Sequence, residues 1–502
     1  MAFVPSYRED HMSNLPTIRI AEIEMKHFKS VRYGHVVLNC GKKFVPYGTQ
    51  ADILGVYGQN GSGKTSLIEA ISILKHLLSG ESIPGEYADC IDIQAEYASL
   101  AFTLEFQYPE GHEYESNNDI RKLVYSFDLK RAPAKQSERP KLFLDDTLDQ
   151  LVQMPKEKVV VFNESIRVGG TINGKKTPLK PYIEISDALL PIGPATKAKS
   201  LLGEVTDEKR INMSVNLRLA KEHSKSFIFM DETLQIFDEN SNYSTLYQML
   251  MELQMWGNYF LFVIDSKTEA MVRLNYVLIV YMPTARFPGL RSPLLIPMTQ
   301  SFPVPDDVYE DFVNYFKPLS AVLGEIVPGM TLFVKEIERG IASDGSNVHK
   351  VELMARRGNV EIPIRSESDG IKKLIATLHF LITAYNQQST TIAYDEFDAG
   401  IFEYLLGEIL QVIQESGKGQ FIFTSHNMRP LEVLKKEYVC FTTTDPDNRY
   451  MKMTGISETN NLRKVYYREI AMHEHYDNLY SETKRYKIIS AMRKAGDNYG
   501  QT

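Results

Sequence analysis

The sequence is poor in cysteine, and its three cysteines, Cys40, Cys90 and Cys440, lie far apart without a CxxC pair. This spacing provides neither a disulfide framework nor a zinc site, and it fits a reducing compartment. Long apolar runs are also missing, because a stretch such as 276–282 is far too short to cross a bilayer. The first residues lack the apolar core of a signal peptide. We therefore expect a cytoplasmic protein with no membrane association.

An excess of positive charge is missing as well. The 56 Lys and Arg residues are outnumbered by 64 Asp and Glu, which gives a net charge of -8. This balance argues against a surface built for nonspecific nucleic-acid binding, although it leaves a local basic groove open. What the chain does have is 502 residues with 43% hydrophobic content. That is enough for two or three domains with a sizeable core.

The strongest motif is Gly-x-x-x-x-Gly-Lys-Thr at Gly58–Thr65, between an apolar strand and an amphipathic helix. Its glycines allow the backbone to curl around a phosphate with its amides pointing inward. We expect Lys64 to reach the β- and γ-phosphate oxygens and Thr65 to ligate Mg²⁺. The helix should place its positive dipole end under the same phosphates. The predicted nucleotide-binding residues of this loop are Gly58, Gln59, Asn60, Gly61, Ser62, Gly63, Lys64, Thr65 and Ser66.

A strand–helix–strand unit near the end of the chain carries acids and a histidine. Asp395 and Glu396 follow its first strand, and His426 follows its second. Such strands are parallel, so their C-terminal ends should meet at the edge where the nucleotide binds. We predict Asp395 as a magnesium ligand, Glu396 as the base or water-orienting group, and His426 as the γ-phosphate sensor. Each residue alone fits an ordinary strand end or loop, but together with Lys64 they predict a catalytic site.

Two further patterns allow more than one interpretation. Residues 366–370 open an amphipathic helix, and the serine and glycine there suit ordinary helix capping as well as an anion site. Residues 227–232 resemble an apolar strand that ends in the paired carboxylates Asp231 and Glu232. No second strand with a phosphate sensor follows this pair, so we predict a structural role for it.

Taken together, the motifs resemble those of ABC-class ATPases of the RecF, SMC and OLD type. They are particularly similar to the compact ABC-like ATPases of bacterial antiphage, or abortive-infection, systems such as the PARIS-like and Septu-like ones. Residues 28–31 resemble the opening strand of that class, and residues 367–373 resemble its signature motif Leu-Ser-Gly-Gly-Gln. The signature departs from the family, because Asp369 replaces the first glycine and Ile371 the glutamine. Asp398 corresponds to the D-loop, and Gln107 is a candidate for the Q-loop and a magnesium contact, or equally a surface glutamine.

The resemblance implies an ATPase that uses ATP and Mg²⁺ and forms a homodimer or a higher homo-oligomer. Two ATP molecules would be sandwiched between the phosphate loop of one copy and Ser368 and Gly370 of the other. It also implies a sensor or regulatory subunit of a bacterial defence system, which controls a separately encoded effector nuclease. Two alternatives remain open: a RecF-like repair ATPase that clamps double-stranded DNA, and an ATP-bound scaffold with little turnover.

The fold implied by the resemblance is α/β, namely an ABC-ATPase head with a phosphate-loop core sheet, an antiparallel β lobe and a mainly helical insertion. We predict that residues 1–184 form the N-terminal part of the head and 185–330 the insertion. Residues 331–460 form the C-terminal part, which contains the signature, the residues that resemble Walker B (394–396) and the H-loop residue His426. Residues 461–502 form a helical tail, where tyrosines alternate with basic residues and acids dilute the charge. We favour a solvated or partner-binding helix there over a nucleic-acid site.

Overall fold

The computed structural model describes most of the chain. The described residues are 15–38, 51–109, 120–133, 157–172, 175–241, 244–265, 277–284, 287–298, 300–341, 345–453, 461–472, 479–480 and 484–499. Cys40 lies outside them, while Cys90 and Cys440 are buried free thiols. In these ranges no helix combines the length and the apolar character that crossing a bilayer requires.

Helices occur along the whole described chain. They are α1 (Lys64–Leu78), α2 (Ala195–Leu202), α3 (Asp207–Glu222), α4 (Asp231–Asn240), α5 (Thr245–Tyr259), α6 (Asp306–Ile326), α7 (Asp369–Asn386), α8 (Glu403–Ser416), α9 (Pro430–Val433), α10 (Leu462–Met472) and α11 (Arg485–Tyr499). Short 3₁₀ turns cover Gly85–Cys90, Ile364–Ser366 and Lys436–Tyr438.

A six-stranded core sheet carries the phosphate loop. In spatial order it consists of β19 (Tyr450–Met451), β18 (Val439–Thr442), β3 (Asp52–Tyr57), β17 (Gln420–Thr424), β16 (Thr391–Tyr394) and β9 (Leu261–Ile264). All neighbours are parallel except β19, which pairs antiparallel with β18. Strands β3, β16, β17 and β18 are buried at every position. Continuous apolar runs of this kind are typical of parallel strands that are covered on both faces.

A seven-stranded antiparallel sheet lies beside the core. Its order is β2 (Val31–Val37), β1 (Thr17–Phe28), β4 (Ala98–Gln107), β5 (Ile120–Pro133), β6 (Glu157–Ile172), β7 (Lys175–Ile185) and β8 (Ile192–Gly193). Buried and partly exposed residues alternate along most of β4. Since side chains alternate between the two faces of a strand, one face of this sheet belongs to the core.

The core sheet separates two apolar cores. Along β3, Leu54 and Val56 pack with α1, α5 and the antiparallel sheet. Ile53 and Tyr57 pack on the opposite side, with α6, α7 and α8. The two-residue period of a strand explains this division. An α/β fold with a phosphate-loop core sheet and an antiparallel lobe is therefore confirmed.

The segment 185–330 contains α2 to α6 and so is helical over most of its described residues. It also supplies β9 to the core sheet, beside β16, and β8 to the antiparallel sheet. The segment is thus joined to the head through both sheets, a feature that the sequence analysis did not include.

Two small sheets complete the described fold. One is the hairpin of β10 (Val277–Thr284) and β11 (Phe287–Pro297). The other has the order β12 (Phe302–Pro305), β14 (Asn347–Arg357) and β13 (Met330–Ile341), with β15 (Val360–Pro363) also paired to β14. In the C-terminal tail, Tyr466 of α10 stacks on Phe441 with ring centroids 4.9 Å apart, which attaches this helix to the core sheet.

Candidate active site

The loop between β3 and α1 depends on its glycines. Gly61 and Gly63 have φ angles of 76° and 97°, in the left-handed region where side chains are strained. At Gly58 the constraint is space, because an added Cβ would stand 1.8 Å from the Thr442 hydroxyl oxygen at the end of β18. The loop therefore fits tightly against the neighbouring strand.

Lys64 folds back into this loop. Its ammonium donates to the carbonyl oxygens of Gly58 at 2.8 Å and Gln59 at 3.1 Å. Burial lowers the pKa of Lys64, while the nearby carboxylates of Asp395 and Glu396 act in the opposite direction. A phosphate bound in the loop would add negative charge next to the ammonium and would favour its charged form.

The C-terminal strands β18 and β19 hold the loop from outside. The Ser62 hydroxyl donates to the Gln59 carbonyl at 2.5 Å and is also hydrogen-bonded to the Thr442 hydroxyl. The Tyr450 hydroxyl donates to the Gly63 carbonyl at 2.6 Å. Thr442 and Tyr450 were not predicted from the sequence, since no motif distinguishes a lone threonine and a lone tyrosine in this part of the chain.

Thr65, in the first turn of α1, lies next to Asp395, which directly follows β16. The Thr65 hydroxyl donates to the Asp395 carboxylate at 3.4 Å, and Asp395 is fully buried. The Thr424 hydroxyl donates to the same carboxylate oxygen at 2.6 Å. A hydroxyl beside a carboxylate provides the oxygen ligands that Mg²⁺ prefers, so these residues fit the expected ion.

Glu396 has an unusual backbone for a residue with a side chain. Its φ is 49°, in the left-handed region, which costs about 1–3 kcal/mol and persists only when the surroundings fix it. Its N–H donates to the Thr424 hydroxyl at 2.8 Å, and its carbonyl accepts from the Lys373 ammonium at 3.0 Å. Thr424 thus links Asp395 to Glu396 through one hydroxyl group.

His426 lies at the end of β17, with an exposed side chain. Its backbone N–H donates to the carboxylate of Asp398 at 3.2 Å, and the next N–H, of Asn427, donates at 2.9 Å. Asp398 therefore fixes the turn that carries His426 at the same sheet edge as Asp395 and Glu396.

Ser368 and Gly370 stand at the start of α7. Ser368 directly precedes the helix and is exposed to solvent, and the Asp369 side chain is 80% exposed. Gly370 lies against Gly400, because an added Cβ would come within 2.8 Å of the Gly400 carbonyl oxygen. The helix start is therefore open to solvent on one side and packed on the segment after β16 on the other.

The structure does not bring Gln107 to this site. Gln107 pairs with Thr17 at the beginning of β1. Two residues further along β1, the Arg19 guanidinium donates to the carbonyls of Thr390 and Lys418 at 3.0 and 2.8 Å, where β16 and β17 begin. Gln107 thus lies toward the edge of the core sheet opposite the phosphate loop. The predicted contact of Gln107 with Mg²⁺ is therefore wrong. The prediction failed because alternation of apolar residues identifies a strand but does not reveal in which direction that strand runs relative to the core sheet.

A carboxylate that the sequence analysis missed lies at the loop edge. Asp265 follows β9, whose last carbonyl, of Ile264, accepts from the N–H of Asp395 at 2.8 Å. The Asp265 carboxylate accepts from the Tyr87 hydroxyl at 3.2 Å. The available signal was the apolar run Leu261–Ile264 before an acid, but four residues are too few to identify a strand.

The paired acids Asp231 and Glu232 lie elsewhere. They occupy the first turn of α4, where negative charge suits the helix dipole. The preceding segment is held by Glu164, whose carboxylate accepts from the N–H of Phe227 at 2.7 Å.

Comparison with known families identifies the chain. Residues 53–432, more than half of the sequence, match the family model described as "AAA domain, putative AbiEii toxin, Type IV TA system". The chain belongs to this AAA-domain family. Family membership, together with the phosphate loop, makes it an ATP-binding protein of the P-loop ATPase type. No curated protein matches the chain.

Solved structures of SMC head domains resemble this AAA-domain protein weakly. An Smc head domain from Pyrococcus furiosus, bound to the C-terminal domain of ScpA, is 14% identical, covers 91% of this chain and 100% of its own, and gives a TM-score of 0.39. The SMC head domain from Thermotoga maritima is 13% identical, with 87% and 99% coverage and a TM-score of 0.32. Similarity at this level does not define a substrate or a partner.

Proposed function

We propose that this AAA-domain protein hydrolyses ATP at the site formed by Lys64, Thr65, Asp395, Glu396 and His426. The observation that carries the proposal is the continuous hydrogen-bonded path from the Thr65 hydroxyl through the Asp395 carboxylate and the Thr424 hydroxyl to the Glu396 backbone. This path connects a residue of the phosphate loop with the carboxylate that follows β16.

Each residue would have a distinct task. The loop N–H groups and the Lys64 ammonium would bind the phosphates, and Thr65 and Asp395 would hold Mg²⁺. When bound, Mg²⁺ neutralises charge that develops on the β- and γ-phosphate oxygens. Glu396 would orient the attacking water, and the exposed His426 would contact the γ-phosphate.

We further propose that ATP joins two copies head to tail. Support comes from the exposed start of α7, where Ser368 and Gly370 form a helix N-terminus that suits an anion. Such a surface is available to the γ-phosphate held by another copy. Hydrolysis would then release the two copies, so that the nucleotide acts as a switch.

Asp369 supports a second candidate, an ATP-bound scaffold with slow turnover. Its carboxylate is 80% exposed next to Ser368 and lies 3.5 Å from the Lys372 ammonium, which offsets part of its charge. The remaining negative charge would weaken the binding of a phosphate of the other copy. A slow trans-activated step would prolong the ATP-bound state. The two candidates differ in rate rather than in the site they use.

The biological role that we propose is regulation in a bacterial antiphage system, in which the ATP-bound form controls a separately encoded effector nuclease. The family description supports it, because it names an AbiEii toxin and a type IV toxin–antitoxin system. The rival role is a RecF-like repair ATPase that clamps double-stranded DNA.

The test is affinity purification of Glu396→Gln from its native host with ATP and Mg²⁺, in parallel with Lys64→Ala. Glu396→Gln keeps the phosphate loop, whereas Lys64→Ala lacks the cation that binds the phosphates. A nuclease retained only by Glu396→Gln with ATP would support the defence role. ATP-dependent duplex binding that weakens steeply with salt would support the repair role instead. Wild-type protein that hydrolyses no ATP would contradict the ATPase proposal.

A further inference from the structure

The start of α7 touches the segment after β16 at two points. Gly370 packs so closely on Gly400 that a Cβ there would stand 2.8 Å from the Gly400 carbonyl oxygen. One helical turn later, the Lys373 ammonium donates to the Glu396 carbonyl at 3.0 Å. The helix is therefore attached to both ends of the loop formed by residues 396–400.

The Lys373 ammonium is buried and contacts the residues on either side of Asp395. The residue is almost entirely buried, and its ammonium lies 5.6 Å from the centroid of the Tyr394 ring. Burying a charged ammonium costs free energy unless polar groups accept its hydrogen bonds, and the Glu396 carbonyl is one such acceptor. The lysine thereby contributes to holding the peptide plane that follows Glu396.

The backbone of Glu396 needs this support. With φ at 49°, it adopts a conformation that residues with a side chain visit rarely. The Thr424 hydroxyl fixes the peptide plane before Glu396. The plane after it is held by the Lys373 ammonium together with two backbone contacts: the Ala399 N–H donates to the same Glu396 carbonyl at 3.0 Å, and the Phe397 N–H donates to the Thr424 carbonyl at 3.1 Å. Together these contacts set the direction of the Cα–Cβ bond from which the Glu396 carboxylate extends.

We propose that Lys373 is a positioning residue that couples the start of α7 to the orientation of the Glu396 carboxylate. The inference rests on the proposed function, in which Glu396 orients water and Ser368 faces the ATP of a second copy. Ser368 stands at the beginning of the helix that carries Lys373. A displacement of this helix by the other copy's nucleotide is therefore transmitted to Glu396, so that one site sets the hydrolytic geometry of the other.

The first test replaces the lysine with a neutral side chain of similar length. Lys373→Met should lower kcat by about 10- to 100-fold, as expected for a misplaced catalytic group. It should leave KM for ATP and ATP-dependent association within about twofold of wild type, since it touches no phosphate-binding group. Lys373→Arg, which keeps a donor, should recover part of kcat. A Lys373→Met protein with wild-type kcat would overturn the proposal.

A matched control is available in the antiparallel sheet. The Lys158 ammonium also donates to a backbone carbonyl, that of Glu222 at the end of α3. Lys158→Met removes the same chemical group from the same kind of contact, away from the loop edge of the core sheet. We expect its kcat and KM to equal those of the wild type.

A double-mutant cycle separates positioning from a general structural effect. If Lys373 acts through the Glu396 carboxylate, Lys373→Met should cause no further loss in a Glu396→Gln protein, measured by single-turnover hydrolysis. Losses that multiply would overturn the inference. Should Lys373→Met fail to fold, as shown by its thermal unfolding, Lys373→Gln enters the same cycle. An inactive wild type contradicts the proposed function, whereas an active wild type with an equally active Lys373→Met contradicts only this inference.

Discussion

The hydroxyl of Thr424 holds two parts of the candidate site at once, so its removal should be costly. Thr424 is 1% exposed at the end of β17. Its hydroxyl donates to the Asp395 carboxylate at 2.6 Å and accepts from the Glu396 N–H at 2.8 Å. Thr424→Val keeps the shape and the strand preference of the side chain while it removes both hydrogen bonds.

The expected loss follows from these two contacts. A hydrogen bond to a charged group contributes about 1.5–3 kcal/mol, and a buried N–H left without an acceptor costs about 1–3 kcal/mol. We therefore expect Thr424→Val to lower the free energy of unfolding by about 3–5 kcal/mol. Because Glu396 loses the contact that holds its N–H, kcat should fall by about 10- to 100-fold.

Thr391 provides the matched control. It is buried at the beginning of β16, and its hydroxyl donates to the Gln420 side chain at 3.3 Å. Thr391→Val should cost about 1 kcal/mol in stability and leave kcat unchanged. Urea unfolding and steady-state hydrolysis of both variants test the expectation. A Thr424→Val protein with wild-type kcat would refute the reasoning that this hydroxyl organises Asp395 and Glu396.

Three further changes have defined outcomes. Glu396→Gln should still bind ATP and should accumulate as an ATP-bound dimer in size-exclusion chromatography with light scattering; a wild-type hydrolysis rate would disprove its assigned role. Asp231→Asn combined with Glu232→Gln should retain full ATPase activity, and an inactive protein would mean that the catalytic carboxylates were misassigned. Burial raises the pKa of Glu252 from 4.5 to about 8, against the opposing hydrogen bond from Tyr108. The folded state therefore binds this proton more tightly than the unfolded state, so the contribution of Glu252 to stability should decline as pH rises from about 4.5 to about 8. In urea titrations, Glu252→Gln should flatten that decline; an unchanged slope would exclude Glu252 as its source.

Local motifs predicted much of this arrangement. The phosphate loop and the acids at 395–396 could be located because glycine spacing and buried strand ends are local properties of the sequence. In the structure the Thr65 hydroxyl donates to the Asp395 carboxylate, so these two residues are neighbours.

Features that depend on long-range pairing were beyond local analysis. Strand β9 has only four residues, and its place beside β16 depends on pairing between segments more than a hundred residues apart. Gln107 was misplaced because alternation identifies a strand but not its direction in space. Thr442 and Tyr450 hold the phosphate loop through contacts that no spacing rule anticipates.

The position of β3 has a consequence for the newly synthesised protein. Both neighbours of this strand, β17 and β18, lie more than 350 residues later in the chain. The glycine loop is therefore synthesised long before the strands that support it. Non-local strand pairing of this kind also forms slowly. ATP capture should begin only when synthesis has passed β18. We therefore expect a truncated product that ends before β17 to bind ATP much more weakly than the full chain.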